Sequence, residues 1–419
     1  MDEEASGGKK MRSKAHAKVE DTGKQNSSIP RSGQPDVVLI YPYVQHERDA
    51  VGVCVEQLAS YLAQEDALRT HILCIDDTAA AASRAPTSRR KARRILRAYD
   101  QLAFLVRVYL YLRTLRTVRD LIVITVDAPT GIGIPVQFAK WKNPTISHIA
   151  WVMDLYRLRA NSRSSFLSRI RAIIEAQTLK NSDHIVTLGE CMRTNLVAIL
   201  DRDIVVLPIW QDETWLQPSS RIDTGYPNFR PIDLVYSGSA RIGVHPLGEI
   251  ADAVLRYKSP ERIRLVIRGR GDEVDHLRAR IPQGSKAVIF EQPVAHSDAP
   301  AALARADIHL VSLAADATGT CVPSKAYASM AVGRPLLYVG DSRGQAARDI
   351  SSARCGYVVE PGSNISEKLD IILKSTNELS QAGMRGHSFF LENRSLSAMG
   401  QRWTHFLREV KASGYGFDN

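Results

Sequence analysis

Short, uninterrupted apolar runs separated by longer amphipathic stretches set the rhythm of this chain. VVLIYPYV (Val37 to Val44), HILCID (His71 to Asp76), LIVITV (Leu121 to Val126) and TISHIAWVMD (Thr145 to Asp154) are rich in β-branched residues. HIVTLG (His184 to Gly189) and IVVLPI (Ile204 to Ile209) continue the series. Apolar residues at helical spacing fill intervals between them, from Val51 to Ala63, Ser168 to Ser182 and Glu190 to Leu200. A run that is apolar at successive positions is a strand covered on both faces. The alternation therefore predicts an α/β domain with a doubly wound parallel sheet over residues 36–217.

The periodicity then stops. QPSSRIDTGYPNFRP (Gln217 to Pro231) is dense in Pro, Ser, Gly and Asn, which marks an interdomain linker over 218–231. A second β-α series follows over 232–385, with strands expected at Asp233 to Gly238, Arg264 to Gly269, Ala287 to Gln292, Asp307 to Leu313, Pro335 to Gly340 and Gly356 to Pro361. Helical residues 386–419 are expected to pack back on the first domain. Residues 1–35 carry almost no large apolar side chains and are expected to be a disordered tail. Two Rossmann-like domains in tandem face a cleft, with ligands at the carboxyl ends of the strands.

Composition narrows the class. A chain of 419 residues with 44% hydrophobic and 24% charged residues is long enough for two to three soluble domains. Cys54, Cys74, Cys191, Cys321 and Cys355 are scattered without CxxC spacing, which argues against a disulfide framework and a zinc site and for a reducing cytoplasm. The opening MDEEASGGKKMRSK lacks the apolar stretch of a secretory signal. The longest apolar candidate, Leu102 to Leu112, contains Arg107 and falls well short of the ~20 residues that span a bilayer.

Charge changes the picture most. Between Arg84 and Arg119 there are eleven Arg and Lys against one acid, Asp100, so this segment alone accounts for the chain's net +10. Its basic residues alternate with Leu, Phe, Val and Tyr, which points to an anionic membrane surface rather than to nucleic acid. A helix that packs Leu and Tyr inward and leaves its arginines solvated is the other reading.

Candidate chemistry concentrates in DATGTCVPSKAYASMAVGRPLLYVG (Asp316 to Gly340). A Gly-Thr turn, a Pro-Ser-Lys step into a helix and a Gly-Arg-Pro exit would gather free backbone N–H groups, the Ser324 hydroxyl and the Lys325 ammonium. That is a site for an anion such as a diphosphate. A capping serine on an ordinary helix with an exposed lysine fits the same spacing.

This segment resembles the GT-B glycosyltransferases of family 4, in particular the exopolysaccharide branch carrying VPSK-x-Y-x-x-x-A-x-GRP, here Val322, Pro323, Ser324, Lys325, Tyr327, Ala331, Gly333, Arg334 and Pro335. VYSGSARIG (Val235 to Gly243), IRGRGDE (Ile267 to Glu273), QPV (Gln292 to Val294), WVMDLY (Trp151 to Tyr156) and TLGECMRTNL (Thr187 to Leu196) are similar to other segments of that family. The resemblance covers roughly residues 36 to 385. It implies a nucleotide-sugar donor on the second domain, transfer with retention, and an acceptor on the first, in bacterial surface polysaccharide synthesis; the basic segment adds the expectation that this acceptor is a lipid-linked saccharide. By position it implies donor contacts from Gly238, Ser239, Arg241, Gly269, Arg270, Val294, Thr320, Ser324 and Lys325, with Lys325 neutralising the diphosphate. Arg241 reads equally as a solvated loop residue. The Glu-x7-Glu pair of many members is absent, since Thr320 and Ala328 stand there.

In the first domain His46, Arg48 and Gly52 follow the first strand, where a loop meets the cleft, and are candidates for the acceptor side; a solvated loop is the alternative. Asp154 ends a buried strand and is the candidate base or orienting group for the acceptor hydroxyl, or else a helix cap. Gly131-Ile132-Gly133 reads as a loop, and His148 and His184 as core histidines. No Asp-x-Asp motif or Cys/His cluster is present, so neither a cofactor nor a metal is expected. A cytoplasmic enzyme at the inner face of the cell membrane is the leading expectation. A nucleotide-sugar epimerase of similar architecture and a non-catalytic binder of anionic lipid or nucleic acid are the alternatives.

Overall fold

The computed structural model describes residues 35–42, 50–64, 68–74, 90–126, 130–155, 166–218 and 230–414, with only the helical backbone given for 90–98. The expected tail, most of the linker, and the loop with His46 and Arg48 lie outside the described residues.

The first half runs β1 (Val37–Ile40), α1 (Ala50–Gln64), β2 (Thr70–Leu73), α2 (Arg90–Thr114), β3 (Ile122–Val126), α3 (Ile134–Lys142), β4 (Ser147–Val152), α4 (Phe166–Lys180), β5 (His184–Thr187), α5 (Glu190–Leu200) and β6 (Val205–Val206). Its six strands form one parallel sheet in the order β2-β1-β3-β4-β5-β6. The second half runs β7 (Ile232–Ser239), α6 (Leu247–Leu255), β8 (Ile263–Arg270), α7 (Asp272–Arg280), β9 (Val288–Glu291), α8 (Ala299–Ala304), β10 (Ile308–Ser312), α9 (Lys325–Ala331), β11 (Leu336–Val339), α10 (Gln345–Ala353) and β12 (Gly356–Val359). Its parallel sheet has the order β12-β11-β10-β7-β8-β9. Helices α11 (Ile365–Lys374), α12 (Thr376–Asn393) and α13 (Leu396–Gly414) complete the described chain.

The doubly wound α/β architecture matches the hydrophobic pattern, while several boundaries differ from it. β1 stops at Ile40, short of the expected Val44. It pairs on both sides, and Pro42 has no N–H with which to continue a central ladder. β4 ends at Val152, so Asp154 lies past the strand. β6 keeps two residues of an expected six, as an edge strand just ahead of Pro208. Strand order reverses between β1 and β3 and again between β7 and β10, and a crevice opens outside the strand ends at each reversal.

The last helices tie the halves together. Gly383 of α12 lies so close to α9's exit that a Cβ there would stand 2.1 Å from the Gly333 carbonyl oxygen. The chain then bends at Arg394, whose carbonyl accepts from Gln211 N at 3.0 Å, while Leu396 N donates to Gln211 O at 2.9 Å. The Glu213 carboxylate takes the Leu396 and Ser397 N–H groups at 2.8 and 3.1 Å and so caps α13. α13 lies on the first half. Trp403 meets Trp151 edge-on at 4.9 Å, a Cβ at Gly400 would strike the Tyr61 ring, and Lys411 Nζ pairs with Asp36 Oδ1 at 3.0 Å.

One buried carboxylate organises this junction. Asp349 Oδ2 accepts from Arg394 Nη2 at 2.7 Å and from Tyr327 Oη at 2.7 Å. Its Oδ1 accepts from Gln345 Nε2 at 2.9 Å, and Gln345 Oε1 in turn accepts from Glu190 N at 2.9 Å. Asp349→Ala would leave the Arg394 guanidinium buried and unpaired. It is expected to lower the urea-unfolding free energy by about 3–5 kcal/mol, with a smaller loss for Asp349→Asn, which keeps an acceptor. Unfolding of the alanine variant at the wild-type urea concentration would count against this role.

Candidate functional site

The second sheet brings the ends of β7 and β8 together in register, Gly238 opposite Gly269 and Ser239 opposite Arg270. Gly238 has φ +115°, which L side chains rarely adopt, and a Cβ at Gly269 would stand 2.3 Å from the Gly238 carbonyl oxygen. These glycines let two strand ends close with bare backbone. Gly238, Ser239, Arg241 and Arg270 are exposed there, and Arg270 O accepts from Ala240 N at 2.9 Å.

Lys325 comes to this backbone from the far side of the sheet reversal, at the start of α9 after β10. Its Nζ donates to Tyr236 Oη at 2.6 Å and more weakly to Ser239 O at 3.3 Å, and it lies 4.0 Å from the centre of the Tyr236 ring. Tyr236 Oη in turn donates to Ser239 O at 2.6 Å. A Cβ at Gly238 would stand 3.7 Å from the ammonium. Among the described residues no carboxylate forms an ion pair with Lys325. Burial lowers its pKa to about 7, and burial, with the nearby charges of Lys325 and Arg241, lowers that of His245 to about 4. Burial thus works against the charged form of Lys325, and an anion beside it would offset that cost.

Ser324 does not cap α9. Its backbone is already helical, and its hydroxyl makes no hydrogen bond among the described residues. Thr320 departs from the expected donor contact, because its hydroxyl turns into its own loop and donates to Ala317 O at 2.5 Å with the residue 1% exposed. Val294 is exposed on the loop after β9, near His296, whose ring stacks on Trp215 at 4.2 Å. The contacts therefore join Gly238, Ser239, Gly269 and Lys325, and leave Arg270 and Val294 at the rim.

Sequence reasoning missed Tyr236 and His245, whose rings meet edge-on at 6.2 Å beside the ammonium. Tyr236 shares a strand face with Gly238 two residues later, so alternation held that signal. It also missed the buried hydroxyls of Ser237 and Ser312, near the carboxyl ends of β7 and β10, and of Thr318 in the loop after β10, which have no hydrogen-bond partner among the described residues. No group of three or more His, Cys, Asp or Glu among the described residues is arranged to hold a metal.

The first half touches this loop directly. Leu155 N donates to Thr320 O at 2.7 Å, and Asn195 Nδ2 donates to Gly319 O at 2.9 Å. Exposed Asp154 therefore stands next to a residue bonded to the loop that leads into Lys325. It does not cap α4, which starts at Phe166. Gly52 is buried in the first turn of α1. His148 is a core residue, buried and bonded to Thr125 Oγ1 at 3.0 Å, with burial lowering its pKa to about 4.

No family model and no curated protein matches the chain. Solved structures do. Sucrose-phosphate synthase from Thermosynechococcus elongatus aligns with TM-score 0.65 at 13% identity over 90% of this chain and 99% of that one. Anabaena Alr3699/HepE in complex with UDP aligns with TM-score 0.63 at 10% identity over 89% and 100%. The chain has the GT-B fold. A glycosyltransferase from Rickettsia africae has the same GT-B architecture, with TM-score 0.62 at 12% identity over 89% and 98%. In this GT-B chain the Lys325 loop is one of the places where the two halves meet.

The depressed pKa has a stability consequence. With a folded-state value near 7 and an unfolded-state value near 10.5, the unfolded chain binds the extra proton between those limits, so stability rises with pH there. Lys325→Met should remove that rise, and the variant should gain most over the wild type below pH 7. The slope stays under about 1.4 kcal/mol per pH unit, because part of the side chain faces water. Parallel stability–pH curves for the two proteins would contradict the assignment.

Proposed function

We propose that this chain is a glycosyltransferase that takes a nucleoside-diphosphate sugar in the crevice between β7 and β10 and transfers the sugar to an acceptor on the first half. The observation that carries this is the Lys325 ammonium, held by Tyr236 with no carboxylate paired to it among the described residues, against strand ends made of bare Gly238 and Gly269 backbone. Departure of a nucleoside diphosphate builds negative charge, and a cation beside it lowers the barrier to leaving. Ser324, with its hydroxyl uncommitted, is suited to a phosphate oxygen. Arg241 and Arg270 add positive charge at the rim, and Val294 lies where the base would rest. A solved protein of this fold was obtained in complex with UDP, which makes UDP the first nucleotide to test.

On this reading the acceptor is a lipid-linked saccharide, transfer retains the anomeric configuration, and the product belongs to a bacterial surface polysaccharide. These finer statements rest on the VPSK and GRP segments. Asp154 orients the acceptor hydroxyl or takes its proton, with Gly52, His46 and Arg48 on the same side. Lys325 supplies the charge neutralisation, so no resident metal or cofactor is invoked. A lipid-linked acceptor would draw the chain to the cytoplasmic face of an anionic membrane, in keeping with the basic segment 84–119. Among the described residues no helix is long and apolar enough to cross a membrane.

Lys325→Ala is expected to weaken UDP binding and to slow transfer by about 10²–10³-fold, with partial recovery in Lys325→Arg, whose planar fork replaces a point charge. Calorimetry with UDP and a coupled UDP-release assay read both. Wild-type behaviour in a folded Lys325→Ala protein would put the diphosphate elsewhere. Asp154→Asn is expected to lower turnover by about 10²–10⁴-fold at unchanged UDP affinity. A matching loss of UDP affinity would move Asp154 to the donor side.

A further inference from the structure

The first half carries an exposed apolar face that its fold does not use. Twelve of the twenty-one large apolar side chains exposed among the described residues lie on three helices, α2, α3 and α4. On α2 they are Tyr99, Leu102, Val106 and Leu110, one stripe opposite the buried Phe104, Val108 and Leu112. On α3 they are Ile134, Phe138 and Trp141, again one stripe, with Trp141 76% exposed. On α4 they begin with Phe166 at 76% and Leu167 at 65% and continue through Ile170 to Ile173 and Ile174.

The three helices are neighbours. α2 and α3 share one core, where Phe104 and Val108 are clustered with Val136 and Ala139. α3 meets α4 through Gln137 Nε2, which donates to Thr178 O at 3.0 Å, and through Gly131 N, which donates to Glu175 Oε2 at 3.3 Å. The stripes therefore belong to adjacent helices on one side of the first half, unlike the singly scattered apolar side chains that need no explanation. The same helices contain twelve Arg and Lys against two acids, Asp100 and Glu175.

A pocket of about 680 Å³ opens between α2 and α3, lined by Tyr109, Leu112, Ala139, Arg113, Arg116 and Lys142, among other side chains. Its three cations form no ion pair among the described residues, and Lys142 Nζ lies 4.3 Å from the centre of the Trp141 ring. Apolar stripes with a tryptophan at the edge, a basic rim and a cationic pocket suit the interface of a bilayer rich in anionic lipid. A second copy of this chain seated here would set like charge against like charge.

We infer that α2, α3 and α4 form a membrane dock. The apolar stripes enter the lipid interface, and Arg113, Arg116 and Lys142 receive the phosphate of an anionic headgroup. This deepens the lipid-linked-acceptor reading and rests on it for its purpose, while the docking itself requires no nucleotide.

Flotation of the full chain with phosphatidylcholine vesicles, with and without phosphatidylglycerol, tests the dock. Wild type should bind the anionic vesicles and, weakly, the neutral ones. F138S/W141S should lose binding to both. R113Q/R116Q/K142Q should lose the anionic preference, on the order of a hundredfold for three cations near the surface. Trp141 fluorescence should shift to the blue with vesicles, and W141F should abolish the shift, since Trp151, Trp210 and Trp403 are buried and half-buried Trp215 is stacked on the His296 ring, outside the three helices. Vesicle binding that is absent from the wild type, or unchanged in both multiple variants, overturns the dock, as does a dimer that F138S/W141S dissociates without any vesicle binding. UDP titrations separate the two readings: intact UDP binding without vesicle binding removes the dock alone, and vesicle binding without UDP binding removes the donor site alone.

Discussion

The fold hangs on a carboxylate taken out of water. Asp349 is buried, so Arg394, Tyr327 and Gln345 must all reach it, and each comes from or leads to a different part of the chain. Tyr327 belongs to the helix that presents Lys325. Arg394 marks the bend where the chain leaves the second half, and Gln345 accepts from the first residue of α5 in the first half. A fully satisfied buried network of this kind is stiff, because any displacement exposes an unpaired charge in a low-dielectric interior. The orientation of the Lys325 helix and the seating of one half on the other are thereby the same constraint.

The candidate site follows the opposite electrostatic rule. Around Asp349 every charge is answered; around Lys325 the protein offers a phenol oxygen, a peptide carbonyl and the face of a ring. These hold the ammonium in position without neutralising it. At Gly238 bare backbone faces it, where a Cβ would stand 3.7 Å from Nζ. The topology supplies the location, because β7 and β10 flank the reversal of strand order where helices diverge to opposite faces.

Much of this was legible in the sequence, for stated reasons. Strands buried on both faces announce themselves as unbroken apolar runs, so both sheets and their order of appearance could be read. Lys325 and the two glycines lie in segments with marked turn chemistry and were legible too. The rest depends on long-range pairing. Tyr236 and Lys325 are 89 positions apart, and Asp349 and Arg394 are 45 apart, so no local spacing links them. Thr320 misled because sequence gives a side chain's place on the chain and not the direction in which its turn points it. The apolar stripe of α2 was visible only as half of a pattern, since its continuation on α3 and α4 comes from helix neighbours that only the sheet order brings together.

The position of α13 bears on how the molecule comes into being. The first half is synthesised first, yet Trp151 and the surface of α1 are covered by residues 396–414, at the far end of the described chain. A nascent chain emerging from the ribosome must hold that apolar surface open while the whole second half is made. The early domain is therefore completed only after the second half has been made. During that interval it is a natural client for chaperones, and the first core closes only once residues 396–414 are available.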